Sequence, residues 1–225
     1  MTTPTMPPLA LDTDAGETVV CDPGSYWRVA PHAEGYDHGR FDNVKGRLYR
    51  RAEEHALAKA IHALTPGCHV LDAACGTGRV SALLHHAGFS VVGCDVSEAM
   101  MAVARRRVAS VPFMQGDVTS LPFPDTSFDA VTCVGLLMHL DRGMRVRALR
   151  ELARISRGFI VVQYGCLGAF QRIKTWLTGR PAGAVRYPVA AAELQRDLRR
   201  AGLTEVSRFW ALRPFSSSLI LVLSK

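Results

Sequence analysis

The stretch Val70-Leu71-Asp72-Ala73-Ala74-Cys75-Gly76-Thr77-Gly78 constrains this chain more than any other: an apolar run ends on an acid, crosses a glycine-rich turn and enters a helical pattern. His69 to Ala73 reads as a buried strand, and Arg79 to Ala87, closed by Gly88, as the helix that follows it. Glycines at such a turn let the backbone approach a ligand closely, and the helix start offers unpaired N–H groups. The unit is the opening move of an open α/β sheet that takes a ligand at the carboxyl ends of its strands.

The same alternation continues along the chain. Ser90 to Cys94, Val111 to Gln115, Phe128 to Val134 and Phe159 to Gln163 supply strands, and Arg142 to Ile155 a helix before the last of them. Ser97 is placed to cap a helix that carries Glu98 near its positive end and Arg105 to Arg107 near its negative end. A helix over Ala190 to Ala201, closed by Gly202, leads to late strands around Glu205 to Leu212 and Ser217 to Leu223, with Pro214 marking a reversal. The expected fold is a Rossmann-like, doubly wound α/β domain. It has a seven-stranded, mostly parallel sheet, its last strand antiparallel, and helices on both faces.

Ahead of this core, apolar residues from Val44 to Leu64 recur at helical spacing, and Thr65, Pro66 and Gly67 then stop the helix. Residues 1–24 read as a mobile tail, 25–64 as an N-terminal helical cap, and 65–225 as the α/β domain with a lid-like insertion at about 165–188. A length of 225 residues fits one domain with appendages. There is no apolar run of membrane-spanning length, and the first residues lack a signal-peptide pattern, so a cytoplasmic protein is expected. Six cysteines without CxxC spacing read as reduced and structural, with no metal site expected.

Two acids sharpen the turn's meaning. A dinucleotide fingerprint needs a glycine where Ser81 stands, so it is incomplete. Asp95 ends the second strand, 17 residues beyond Gly78, where a carboxylate accepts from both hydroxyls of a ribose. Asp117, in Gln115-Gly116-Asp117-Val118, ends the third strand, where a carboxylate accepts from an adenine amino group. Taken singly, Asp72 also serves as a strand-end cap, Asp95 as a helix cap and Asp117 as a turn opener. Their ordered spacing on one rim favours the ligand reading.

The blocks VLDAACGTGR, GCDVSEAMMAVAR, FMQGDVTSLPFPDTSFDAV and LLMHL, from Val70 to Leu140, resemble the methyltransferase type 11 domain. This is a branch of the class I S-adenosylmethionine-dependent methyltransferases similar to the ubiquinone/menaquinone C-methyltransferases. The resemblance implies S-adenosylmethionine as methyl donor and S-adenosylhomocysteine as product. It assigns Asp72, Ala74, Gly76 and Gly78 to the methionine moiety, Asp95 to the ribose diol, Asp117 and Val118 to adenine, and Val134, Gly135 and Leu136 to the cleft wall, with Val96 also among the cofactor-binding residues. Ala74 departs from the pattern, where glycine is usual, and implies a tighter turn with binding kept.

His139, just past the fourth strand, is the best-placed base for a hydroxyl or acidic carbon acceptor; packing at the helix entry is the competing role. Acceptor recognition falls to the flanks, through Tyr26, Tyr36, Arg40 and Phe41 on one side and Tyr164, Phe170 and Trp176 on the other. Aromatic faces beside cations suit a small, flat aromatic or quinone-like acceptor carrying an acid group, as well as unstacked nucleobases. A net charge of +7 keeps an RNA or protein acceptor as the second reading, and a non-catalytic cofactor binder is the third. The oligomeric state stays open between monomer and homodimer.

Overall fold

A computed structural model of the chain describes residues 9–12, 18–21, 33–37, 43–62, 64–166, 189–212 and 218–225. Two short strands, β1 (Leu9–Asp12) and β2 (Thr18–Cys21), pair antiparallel within the stretch read as a tail. Residues 33–37 are helical. Helix α1 (Val44–Ile61) starts where the Asn43 side chain accepts the Gly46 N–H at 2.7 Å, satisfying one of the helix's orphan donors.

The core then alternates: β3 (His69–Ala73), α2 (Arg79–His86), β4 (Ser90–Asp95), α3 (Glu98–Arg107), β5 (Phe113–Gln115) and β6 (Phe128–Cys133). A 3-10 turn (Leu137–His139), α4 (Arg142–Ile155), β7 (Ser156–Gly165), α5 (Ala191–Ala201), β8 (Thr204–Trp210) and β9 (Ser218–Ser224) complete it. The seven-stranded sheet has the order β5-β4-β3-β6-β7-β9-β8. Parallel pairing runs from β5 to β7, and β9 is antiparallel to both of its neighbours, as expected from the sequence.

Strand periodicity sorts the core between the two faces. Leu71, Val131, Ile160 and Val162 point toward α4 and α5 and pack with Leu149, Leu152, Leu194 and Leu198. Val70, Ala130 and Val161 point the other way and pack with Leu57 and Ile61 of α1 and Leu84 of α2. Each fully buried leucine contributes about 1.5–3 kcal/mol relative to exposure, so the two apolar layers fix which strand face each helix covers.

Among the boundaries that differ from the periodicity, two do so for plain local reasons. The third strand begins at Phe113 instead of Val111, because the Val111 N–H is spent on Val108 O at 3.1 Å and Pro112 has none to give. The fifth runs to Gly165 because its ladder with β9 carries on through Tyr164 and Gly165. The reversal expected at Pro214 lies outside the described residues.

Candidate functional site

Strand order reverses direction at the β3/β6 boundary, since β4 and β5 lie on one side and β7 onward on the other. The carboxyl ends of β3 and β6 therefore open a crevice at a topological switch point, the place where open α/β sheets bind ligands. The glycine turn sits there. Ala74, Gly76 and Gly78 all take positive φ, at 57°, 53° and 76°, so the loop turns sharply between β3 and α2. Gly78 is required twice over, since a Cβ on it would also lie 2.7 Å from the Ala104 Cβ of α3. Ala74 is the exception to the glycine rule, and its methyl is held in a conformation that costs an L-residue about 1–2 kcal/mol.

Asp95 faces this turn from the end of β4. Its Oδ2 accepts the Gly76 N–H at 2.8 Å and its Oδ1 the Ser97 N–H at 2.9 Å. Burial raises its pKa, and the amide bonds from Ser97 and Gly76 oppose that shift. The Val96 N–H also acts on this carboxylate, and the acceptor capacity left of its roughly four sites is what a ribose hydroxyl requires. Val96 beside it is exposed at the rim, and its carbonyl accepts from Gln115 Nε2 at 3.0 Å.

Asp117 is exposed at the end of β5, with Oδ1 accepting the Thr119 N–H and hydroxyl at 2.8 Å each. That leaves Oδ2 open to a donor, while Val118 is buried and packs into the core. On the far wall, Val134, Gly135 and Leu136 are half-buried, and Gly135 turns the chain out of β6 with φ 87°. His139 is half-buried in the 3-10 turn that follows, and its N–H donates to Leu136 O at 2.8 Å.

Asp72 lies beneath the turn instead of at its mouth. It is 1% exposed, with Oδ2 accepting from Ser81 Oγ at 2.6 Å and Oδ1 from Thr132 Oγ1 at 2.9 Å. Burial pushes its pKa up to about 6 against the pull of those two hydroxyls. Its side chain thus ties β3 to α2 and β6 under the loop. Ser81, the residue that breaks the dinucleotide fingerprint, is one of those anchors. Thr132 is the other, directly across the β3/β6 ladder from Asp72. Neither carries a sequence signal of its own.

A second polar group underlies the cleft. Glu53 of α1 is fully buried and meets Arg79, the first residue of α2, and Gln163 of β7. Gln163 Nε2 also donates to Ser218 Oγ at 2.6 Å, which fixes its amide and leaves Oε1 buried without a hydrogen bond, on the Gly135 side. On the other flank, Arg107 of α3 donates to Thr77 O and Thr77 Oγ1 at 3.1 Å each and pairs with Asp37. The Thr77 hydroxyl in turn donates to Asp37 Oδ2 at 3.1 Å.

Of the acceptor-side residues, Tyr36 is half-buried in the helical stretch next to Asp37, so it is brought up to the glycine turn. Tyr164 is fully buried among the core side chains under α4 and α5, its hydroxyl without a hydrogen bond, and solvent does not reach it. Tyr26, Arg40, Phe41, Phe170 and Trp176, and nearly all of the 165–188 insertion, lie outside the described residues.

The thiols near the cleft are not nucleophiles. Burial pushes Cys94 up to about 12 and Cys75 and Cys133 higher still, with nearby carboxylates adding to the shift. Among the described residues no cluster of three His, Cys, Asp or Glu side chains is arranged to hold a metal, and no helix is long and apolar enough to cross a membrane.

Comparison with known proteins gives three further findings. A family model described as a methyltransferase domain matches residues 70–158. The demethylmenaquinone methyltransferase of Streptomyces griseus subsp. griseus is 40% identical over 179 residues, 78% of this chain and 74% of that protein. The enzyme of the same name from Beutenbergia cavernae is 44% identical over 111 residues, 49% of this chain. That match spans only 43% of the relative's length. Among solved structures, magnesium protoporphyrin IX methyltransferase from Synechocystis PCC 6803, with bound SAH, superposes at TM-score 0.73. It is 21% identical, with 87% of this chain and 97% of that one covered, a likeness of fold.

Proposed function

We propose, from the premise that this chain belongs to the class I S-adenosylmethionine-dependent methyltransferases, in the branch that includes the demethylmenaquinone methyltransferases, that it methylates a small quinol-type acceptor. The observation that carries the reading is the Asp95 carboxylate at the switch-point crevice. Both its oxygens are oriented by backbone amides beside the glycine turn, and the carboxylate keeps acceptor capacity for a ribose hydroxyl.

In this reading Asp95 holds the ribose diol, Asp117 Oδ2 takes the adenine amino hydrogen, and the turn from Ala74 to Gly78 lies against the methionine end. Asp72 acts one layer down, holding that turn on Ser81 and Thr132. When bound, S-adenosylmethionine supplies a sulfonium-activated methyl group and leaves as S-adenosylhomocysteine. The protein's own task is chiefly placement, which lowers a barrier by roughly 7–11 kcal/mol in favourable cases, so no elaborate catalytic set is required.

His139, three residues past the cleft wall at Leu136, is the proposed base: its ring takes the proton that the acceptor's hydroxyl or ring carbon gives up. Tyr36 is proposed to face the acceptor from the N-terminal side. That similar proteins are demethylmenaquinone methyltransferases supports a quinone-type ring. A cytoplasmic location suits the five described cysteines, all free thiols.

The test is transfer of a labelled methyl from S-adenosylmethionine to a panel of demethylated quinols, flavonoid phenols, tRNA and total cell protein. The reading expects label in the quinol fraction, lost in His139→Ala while S-adenosylhomocysteine still binds. Label confined to tRNA or protein, or to none of the four, overturns it.

A further inference from the structure

Positive charge is not spread evenly over this molecule. Helices α4 and α5 carry eight arginines against three acids, and so hold five of the chain's seven excess positive charges. The two helices pack side by side over one face of the sheet, and an open groove of about 410 Å³ runs between them, lined by Arg142, Gly143, Val146, Arg150 and Arg200.

The acids on this face are already committed. Asp197 is fully buried and accepts from Arg142 Nε at 3.2 Å and Arg145 Nε at 2.8 Å, while Glu193 accepts from Arg145 Nη2 at 2.7 Å. Glu151 points away, to the Leu121 N–H and Arg154. The three arginines that line the groove (142, 150 and 200) and the buried Arg145 beside them meet two carboxylates, Asp197 and Glu193, so two positive charges stay uncompensated.

Donors are left over as well. Arg142 Nη2 is buried and makes no hydrogen bond, which is costly for a guanidinium nitrogen unless an acceptor arrives. Arg150 spends Nε and Nη2 on the Arg200 carbonyl, at 3.1 and 3.0 Å, a contact that ties the body of α4 to the end of α5. The Arg200 guanidinium has no ion pair among the described residues. Convergent guanidinium forks with two surplus charges match a dianionic, multi-oxygen group better than a single carboxylate.

We propose that the α4/α5 groove is a second ligand site, separate from the methyl-transfer cleft, that takes the phosphate group of a phosphorylated molecule, with Arg142, Arg150 and Arg200 as its donors. A soluble phosphate ester and a lipid headgroup share this chemistry.

Titrating the full chain with inorganic pyrophosphate, followed by calorimetry at low ionic strength, tests the site without reference to methyl transfer. The expected result is saturable binding that weakens about fivefold or more in Arg200→Gln and in Arg142→Gln, and stays within about twofold in Arg147→Gln. Arg147 is exposed on the same helix but does not line the groove, so its variant matches the charge lost. Circular dichroism and S-adenosylhomocysteine binding verify that each variant is folded. Co-sedimentation with phosphatidylcholine vesicles, with and without phosphatidic acid, separates the sources. Pelleting that Arg200→Gln abolishes identifies a headgroup, and pyrophosphate binding without pelleting identifies a soluble ester. No saturable pyrophosphate binding, or equal weakening in Arg147→Gln and Arg200→Gln, overturns the proposal.

Discussion

The Gly76 amide donates to Asp95 Oδ2 at 2.8 Å, so the centre of the glycine turn is held by the acid at the end of the neighbouring strand. One carboxylate thus shapes the loop and presents its remaining lone pairs to the cleft. We predict that Asp95→Ala weakens S-adenosylhomocysteine binding by about 1–3 kcal/mol through loss of charged hydrogen bonds. Calorimetry is the check, and unchanged affinity in a folded variant removes Asp95 from the binding set.

Asp72 makes stability fall as pH rises. Its pKa, about 6 in the folded protein against 3.8 for an unperturbed side chain, means that the folded state binds more protons between those values. The contribution is fully present below the unfolded value and is lost by about pH 6. The difference amounts to about 3 kcal/mol at roughly 1.4 kcal/mol per pH unit. Asp72→Asn keeps partners in Ser81 and Thr132 and removes the titration. Urea unfolding at acid and neutral pH is expected to show the variant gaining on the parent as pH rises. A constant difference across that range contradicts the assignment.

Ala74 holds a positive φ where glycine is at no disadvantage. Ala74→Gly is predicted to stabilise the fold by about 1 kcal/mol, which raises Tm by roughly 2–4 °C for a chain of this size. A thermal melt that falls on this substitution means that the turn does not carry the strain.

Arg107 connects the N-terminal segment to the cleft through Asp37 and Thr77. Arg107→Met leaves Asp37 without its cation and the Thr77 carbonyl without this donor. The expected outcome is S-adenosylhomocysteine affinity lowered by about 1 kcal/mol, since the turn loses its outer support. Arg107→Lys keeps the charge and recovers only part of it, because ammonium cannot reproduce the fork. Equal affinity in the parent and both variants would show that the turn needs no such support.

The sheet was legible because strand and helix periods are local properties: Val70 and Leu71, one residue apart, already declare two faces that the structure covers with different helices. The positions of Asp95 and Asp117 at the ends of β4 and β5 were legible because the strand pattern itself marks where each strand stops. Asp72 shows where that reasoning ends. Its strand-end position suggested the ligand, but whether the carboxylate faces the cleft depends on Ser81 and on Thr132, 60 residues away in sequence. Glu53, Gln163 and Arg107 were invisible for the same reason, since a buried polar group is defined by partners from other elements. Tyr164 was read as a flanking aromatic, and only the packing of α4 and α5 over β7 reveals that it is enclosed.

The most direct test of the account is calorimetric titration of the folded, unmodified chain with S-adenosylmethionine and S-adenosylhomocysteine. The account predicts saturable binding of both at one site per chain, each displacing the other. Absence of heat and of any thermal stabilisation with either ligand would contradict it, since the crevice at β3 and β6 would then not be a methyl-donor site.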